Sequence, residues 1–372
     1  MAMDLGASLA KSIFHEKTVI VTGHTGFKGS WLVSWLRILG ANVVGIALDP
    51  NTSPSHFEEV RSKSQIRDLR IDVRNLAKIK DVFRETQPDF VFHLAAQALV
   101  ISAYENPIET WETNVLGTVN VLEALRDVES DCTAVFVTSD KCYENVEWIW
   151  GYREQDALGG YDPYSATKGA AEFAIRSYAR TYFNSNESKV RIASARAGNV
   201  IGGGDWAANR IVPDCVRAWS RQEIAILRKP DATRPWQHVL EPLGGYLTLA
   251  SRLRLDKSLH GEAFNFGPNE NGDYSVKKLV EEMSLNWKDS KWKPSEQNNQ
   301  EVQEAGLLKL NCDKAFGILG WSSTLDFKET AKFTIEWYKN YYLSERDTEE
   351  FTNDQIRQFQ EISRMRNSKW EL

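Results

Sequence analysis

Residues 17–40 read KTVIVTGHTGFKGSWLVSWLRILG, and this stretch constrains the chain more than any other. Residues 18–22 are a short β-branched run, the signature of a strand buried in a parallel sheet. Gly23, Gly26 and Gly29 follow with G-x-x-G-x-x-G spacing. Trp31, Leu32, Trp35, Leu36 and Leu39 then recur at helical spacing until Gly40 ends the helix. Strand, glycine turn and helix in that order are the context in which a dinucleotide is held. The first glycine permits the tight turn, the second lets backbone approach a pyrophosphate, and the third brings helix close to strand. The helix N-terminus offers free N–H groups and the positive end of its dipole to the phosphates.

The alternation continues. Strands are expected at residues 42–48, 69–71, 88–94, 133–138 and 190–195, and helices at 75–86, 110–127 and 164–183, with 50–64 a polar loop. This predicts an α/β fold, a Rossmann-type doubly wound parallel sheet. After Arg196 the pattern turns glycine-rich and irregular. Short strands are expected at 224–228 and 263–266, helices at 213–221 and from Ser275 to about Leu285, an exposed polar stretch at 288–303, and a charged helical tail from about Asn353. The expected division is residues 1–196 as an NAD-binding domain that borrows a later strand, and 197–372 as a smaller C-terminal substrate-binding α/β region.

Several positions fall where ligands bind in such sheets, at the carboxyl ends of the strands. Asp49 ends the second strand, where an acid suits a ribose 2′-hydroxyl and repels a 2′-phosphate, favouring NAD over NADP. Asp72 and Val73 lie where an adenine edge would pass, and Ala95, Ala96 and Gln97 form a small-residue turn after the fourth strand. Ser139, Asp140 and Lys141 follow the fifth strand directly. Tyr164 and Lys168, four apart on one helix, bring phenol and ammonium together. A phenol with an ordinary pKa of about 10 serves as a base only when nearby positive charge favours the phenolate. Lys168 and an oxidised nicotinamide ring would supply that charge, and Ser139 would hold the same reacting hydroxyl.

Composition excludes some partners. A net charge of −6 gives no basic footprint for nucleic acid. No apolar run is long enough to span a membrane. Cys132, Cys142, Cys215 and Cys312 form no metal or disulfide spacing, so no metal site is expected. Reduced cysteines and an N-terminus without the layout of a signal peptide point to the cytoplasm.

The motifs TGHTGFKG (22–29), HLAAQ (93–97), NVLGT (114–118), TSDKCY (138–143), YSATK (164–168), RAGNVIGGGDW (196–206), NRIVP (209–213), TRPWQHV (233–239), NFGP (265–268) and LGW (319–321) span nearly the whole chain. Together they resemble the extended short-chain dehydrogenases/reductases that act on nucleotide sugars. Asp140 marks the 4,6-dehydratases among them. The resemblance implies NAD as cofactor, with Thr25, Phe27, Lys28, Leu94, Asn114 and Thr138 joining the cofactor contacts named above. It places Asn199, Arg210, Arg234 and Asn265 at the substrate, three of them at its diphosphate, and implies a homodimer or tetramer.

The implied chemistry is redox-neutral. Tyr164 takes the 4-hydroxyl proton as C4 is oxidised, the 4-ketone acidifies C5, and water leaves across C5 and C6 with Asp140 as the acid. The dTDP-glucose enzymes carry Asp-Glu where this chain has Asp140-Lys141, and the GDP-mannose enzymes a Ser-Glu type of pair. The Asp-Lys pair, with His24 and Lys28 in the glycine turn, most resembles the CDP-glucose branch, which makes 4-keto-6-deoxy sugars for deoxysugar and O-antigen synthesis. Lys141 is then either a neutral base at C5 or an electrostatic stabiliser of the enolate. His24 and Lys28 are either exposed turn side chains or, for Lys28, a phosphate contact. The nearest rival is a 4-epimerase, which needs no acid at C6; a non-catalytic NAD sensor would not require Ser139, Tyr164 and Lys168 together.

Overall fold

In the computed structural model residues 13–61, 66–185, 187–268, 274–296 and 307–366 are described. Seven parallel strands form one sheet: β1 (Thr18–Thr22), β2 (Asn42–Ala47), β3 (Arg67–Arg70), β4 (Phe90–His93), β5 (Cys132–Val137), β6 (Val190–Ala197) and β7 (Ala263–Phe266). Their spatial order is 7-6-5-4-1-2-3, every neighbouring pair parallel. The order reverses between β1 and β4, which opens the crevice where such sheets bind ligands. β7 comes from the later part of the chain and pairs with β6 from Ala263 opposite Ser194 to Phe266 opposite Ala197.

Alternation along the strands feeds two cores. Val19 and Val21 face one with Trp31, Trp35 and Leu36, whereas Ile20, Val44 and Ile46 face the other with Ile79, Phe83, Val121 and Leu122. The helices that cover the sheet are α1 (Phe27–Ile38), α2 (His56–Arg61), α3 (Leu76–Thr86), α4 (Val100–Glu105), α5 (Pro107–Trp111), α6 (Gly117–Leu125), α7 (Pro163–Thr181), α8 (Ile211–Ser220), α9 (Leu240–Leu255), α10 (Val276–Ser284), α11 (Phe327–Leu343) and α12 (Thr348–Met365).

Four differences from the sequence reading stand out. The loop at 50–64 contains α2, whose His56 stacks on Trp31 at 4.7 Å and so trades exposure for core packing. The helix expected at 110–127 starts at Pro107 and passes through a π-turn, Glu112–Leu116, before α6. Such bulges gather at functional sites, and this one carries Asn114. The polar stretch at 288–303 contains a strand, Trp292–Pro294, paired with Ala225–Leu227; its residues 297–303 lie outside the described residues. α11 occupies sequence where no element was expected, started by a capping box between Asp326 and Glu329. α11 and α12 fold back behind the glycine turn: Phe359 packs edge-on against Trp35, and the Trp337 indole donates to Thr352.

Candidate active site

The glycine turn is built as its spacing requires. Gly23 has φ +74°, a conformation open to glycine. A Cβ on Gly29 would lie 2.1 Å from the Gly23 carbonyl oxygen, so only glycine lets α1 start this close to β1. α1 begins at Gly26 with no side-chain cap, leaving its first N–H groups for a ligand. Thr25 donates its hydroxyl to the Leu48 carbonyl at 2.9 Å, so it ties the turn to the end of β2. Phe27 is half-buried and packs on the glycine-rich segment at Gly202.

His24 is not an exposed turn residue. It is fully buried, its Nε2 2.9 Å from Asp68 Oδ1 and its ring edge-on to Phe57. Burial holds its pKa below the ordinary value, against the pull of Asp68. Lys28 is not exposed either. It is half-buried within electrostatic range of Asp140, Lys168 and Arg210, and burial presses its ammonium down to about 8.

Asp49, expected at the ribose, is exposed, with Arg70 Nε 3.4 Å from its carboxylate. Arg70 also bonds Asp68, so His24, Asp68, Arg70 and Asp49 form a continuous chain. Asp72 is clasped by Arg74 at 2.7 Å, whose hydrogen bonds hold its carboxyl below the usual range. The Val73 side chain is buried against Gly117, and its carbonyl accepts from Asn120.

Leu94, Ala95, Ala96 and Gln97 line the end of β4, all half-buried. A relay of hydrogen bonds fixes this turn. Thr118 donates to the Asn114 carbonyl, so it accepts from His93 Nε2, and His93 Nδ1 accepts from Thr22. Thr22 in turn receives the Leu94 and Ala95 N–H groups. Burial drives the His93 pKa down to about 3, so the ring is neutral and this tautomer is fixed. Asn114 is buried, accepts from the Gln97 N–H at 2.8 Å and donates to Thr167, whose own hydroxyl donates to the Tyr164 carbonyl. Asn114 and the Gln97 side chain are thus spent on shaping the turn; the Gln97 amide bonds Leu99 and Thr110.

The expected catalytic groups converge. Ser139 donates to Asp140 Oδ1 at 2.8 Å, and both are buried. Tyr164 and Lys168 are buried on α7, which Asp162 caps, and the Lys168 ammonium lies 5.9 Å from the Tyr164 ring centre. Burial pushes the Tyr164 phenol up to about 12, opposed by a hydrogen bond with Ser139. Burial presses Lys168 down to about 8. Lys141 is half-buried in a short helical turn, Asp140–Cys142. A Cβ on Gly198 would come within 3.2 Å of Asp140, so the end of β6 leaves space beside that carboxylate.

The residues expected at the substrate divide. Arg210 reaches the cleft, where its charge acts on Tyr164, and it is held 2.6 Å from Asp205. Asn199 follows β6 and is half-buried. Arg234 lies on a two-residue bridge to Tyr274 and Ser275. Asn265 does not line the cleft: it is fully buried, accepts from Tyr143 and donates to the Tyr152 and Asn311 carbonyls. The Thr138 hydroxyl is likewise spent within the protein, on Glu172 at 2.5 Å. Glu172, Arg196 and His93 were missed as site-shaping residues; the one signal was that Glu172 follows Lys168 by one helical turn.

The family model described as GDP-mannose 4,6 dehydratase matches residues 20–334. The chain is 45% identical to the CDP-glucose 4,6-dehydratase of Salmonella typhimurium, over 90% of this chain and 94% of that protein. Among solved structures it resembles the epimerase Mth375 of Methanothermobacter thermautotrophicus, with a TM-score of 0.78 at 23% identity, covering 92% of this chain and 98% of that one. It also resembles the UDP-glucose 4-epimerase of Brucella ovis, solved with NAD, with a TM-score of 0.72 at 20% identity, covering 87% and 98%.

Proposed function

Because the chain belongs to the GDP-mannose 4,6 dehydratase family, we propose that it converts CDP-D-glucose to CDP-4-keto-6-deoxy-D-glucose and water. The observation that carries this reading is the buried pair of Ser139 and Asp140 at the end of β5, facing Tyr164 and Lys168 on α7. Such a set serves both an oxidation at C4 and an elimination at C6, and a 4-epimerase has no use for the carboxyl group. The CDP-sugar assignment rests on the 45% identity to an enzyme of that name.

The residues fit NAD. Lys28 and Lys168 sit in the cleft with no hydrogen-bond or ion-pair partner among the described residues, which supports a ligand there that carries negative charge and hydroxyls. The uncapped start of α1 faces the same crevice. When bound, NAD supplies a hydride acceptor at C4 and the hydride donor at C6. The protein does the rest. Tyr164 removes the 4-hydroxyl proton, with the Lys168 charge stabilising the phenolate and Ser139 placed at the reacting hydroxyl. Asp140 gives a proton to the departing 6-hydroxyl. Lys141 either removes the C5 proton or stabilises the enolate by charge. Arg210, Arg234 and Asn199 are assigned to the diphosphate, where arginine forks match phosphate oxygens.

The working unit is a homodimer. Ile108, Trp111, Leu116 and Phe173 are 74%, 43%, 55% and 49% exposed on the helices beside the sheet, an apolar face suited to a second copy. No helix among the described residues is long and apolar enough to cross a membrane, and the four cysteines are free, which suits a reducing cytoplasm. The deciding experiment incubates the protein and NAD with CDP-, dTDP-, GDP- and UDP-hexoses. A 4-keto-6-deoxy product from CDP-glucose in preference to the others is expected; a C4 epimer, or no product, would overturn the reading.

A further inference from the structure

Glu172 lies on α7 one turn beyond Lys168 and is 4% exposed. Both of its oxygens are occupied. Oε1 accepts from the Thr138 hydroxyl at 2.5 Å, and Oε2 accepts from Ser194 at 2.9 Å and from Arg196 Nη2 at 2.7 Å. Arg196 continues outward, donating to the Tyr143 hydroxyl at 2.8 Å, and Tyr143 donates to Asn265. Thr138 immediately precedes Ser139 and Asp140, and Tyr143 ends the turn that carries Lys141.

A buried ion pair is a poor device for stability alone, because desolvation cancels most of the attraction, and apolar side chains of similar volume often do as well. Its value here is geometric. We infer that Glu172 is a positioning residue, which locks the end of β5, with Ser139 and Asp140, to the helix that presents Tyr164 and Lys168.

The same carboxylate also sets the field at Lys168. That ammonium faces Tyr164 and Glu172 on its own helix, Cys142 from the turn after β5, His93 from β4 and Lys28 from α1. Burial keeps the Tyr164 phenol, the Cys142 thiol and the His93 ring uncharged at neutral pH. Glu172 opposes burial with the Arg196 guanidinium and its hydroxyl donors, stays below the usual carboxylate range and is the anion of this group. It favours the charged form of Lys168 on which the phenolate depends.

The test rests on the dehydratase reading for its kinetic arm and is independent of it in its spectroscopic arm. Thr138→Val removes one hydroxyl and leaves both charges. In single turnovers of the NAD-loaded protein with CDP-glucose, it is expected to slow C4 oxidation about tenfold or more through misplacement, with KM little changed. Oxidation at the native rate would overturn the inference. Glu172→Gln/Arg196→Met removes both charges without leaving one unpaired. Titration of Lys168 by NMR on 13C-labelled lysine, assigned with Lys168→Met, should move to lower pH in the double variant and stay in place in Thr138→Val. An unmoved titration in a folded double variant would overturn the inference, and this measurement needs no substrate. If the double variant does not fold, Thr138→Val decides alone through its rate or, should CDP-glucose prove not to be the substrate, through the chemical shifts of the Tyr164 and Lys168 side chains, which must change although the pH midpoint of Lys168 does not; unchanged chemical shifts would overturn the inference.

Discussion

Ser139 donates its hydroxyl to the carboxyl group of its neighbour Asp140 at 2.8 Å. In the proposed reaction the two have separate tasks, Ser139 at the C4 hydroxyl and Asp140 at the C6 leaving group. The bond joins the tasks: both groups sit on one rigid turn, and Ser139 also meets the Tyr164 phenol. Substitutions at these positions are therefore expected to be non-additive, as for any residues that share partners.

Tyr164→Phe removes the phenolic oxygen and little else. The ring is buried, and the backbone carbonyl that anchors Thr167 is untouched, so the fold is retained. C4 oxidation should fall by about 10²–10⁴-fold, the usual contribution of a positioned base. Absorbance of reduced cofactor after mixing with substrate is the measurement; a native burst would assign the base elsewhere.

The pH dependence has a definite sign. Burial lowers Lys168 and Lys28 to about 8, so both are charged below that pH and neutral above it. Tyr164, pushed up by burial to about 12, loses its supporting charge as Lys168 deprotonates. C4 oxidation should therefore decline as pH rises through 8, and Lys168→Met should be slower and lack that limb. Stability runs the other way. The unfolded lysine titrates near 10.4, so between about 8 and 10.4 the unfolded chain binds more protons and these two groups add stability as pH rises. Lys168→Met should thus be more stable than the native protein below pH 8, an advantage that fades by about pH 10, measured by urea titration.

What was legible in the sequence depended on local signals. β1, the glycine turn and α1 are encoded by contiguous residues, and so is the Tyr164–Lys168 spacing; Ser275 caps α10 through Lys278 as its sequence suggests. Partner choice was not legible. Whether Thr138 faces a ligand or the interior is decided by Glu172, 34 residues on, and Asn265 is claimed by Tyr143, 122 residues away. His24 lies in a turn, where exposure is the ordinary outcome, and is buried because Asp68 and Phe57 close over it. α11 was legible in principle, through Asp326 and Glu329, but its aromatic-rich run hides the helical period.

The proposed dimer places Ile108 and Trp111 against a second copy. Both are exposed, and neither belongs to the cores, so Ile108→Lys/Trp111→Glu should leave the fold intact and shift the mass in sedimentation at micromolar concentration from dimer to monomer. A native protein that is monomeric and fully active at that concentration would end this assignment.

In the proposed reaction Asp140 and Lys141 divide the elimination. C4 oxidation is assigned to Tyr164, Lys168 and Ser139, so it should survive changes in the Asp-Lys pair. Asp140→Asn keeps the shape of a buried side chain bonded to Ser139 but removes the proton-donating carboxyl group. It should form reduced cofactor and stall there, with loss of water slowed by about 10²–10⁴-fold. Lys141 is half-buried, and its side chain has no hydrogen-bond or ion-pair partner among the described residues, so Lys141→Met costs the fold little. Either role for the ammonium, base or enolate stabiliser, predicts that Lys141→Met loses exchange of the C5 proton with solvent, whereas Asp140→Asn retains it. Single turnovers with substrate deuterated at C4, run in D2O and read by NMR at C5, separate the two. Native elimination by Lys141→Met would reduce the lysine to a bystander in its turn. Native elimination by Asp140→Asn would remove the acid from C6 and, with it, the main structural reason for preferring dehydration to epimerisation.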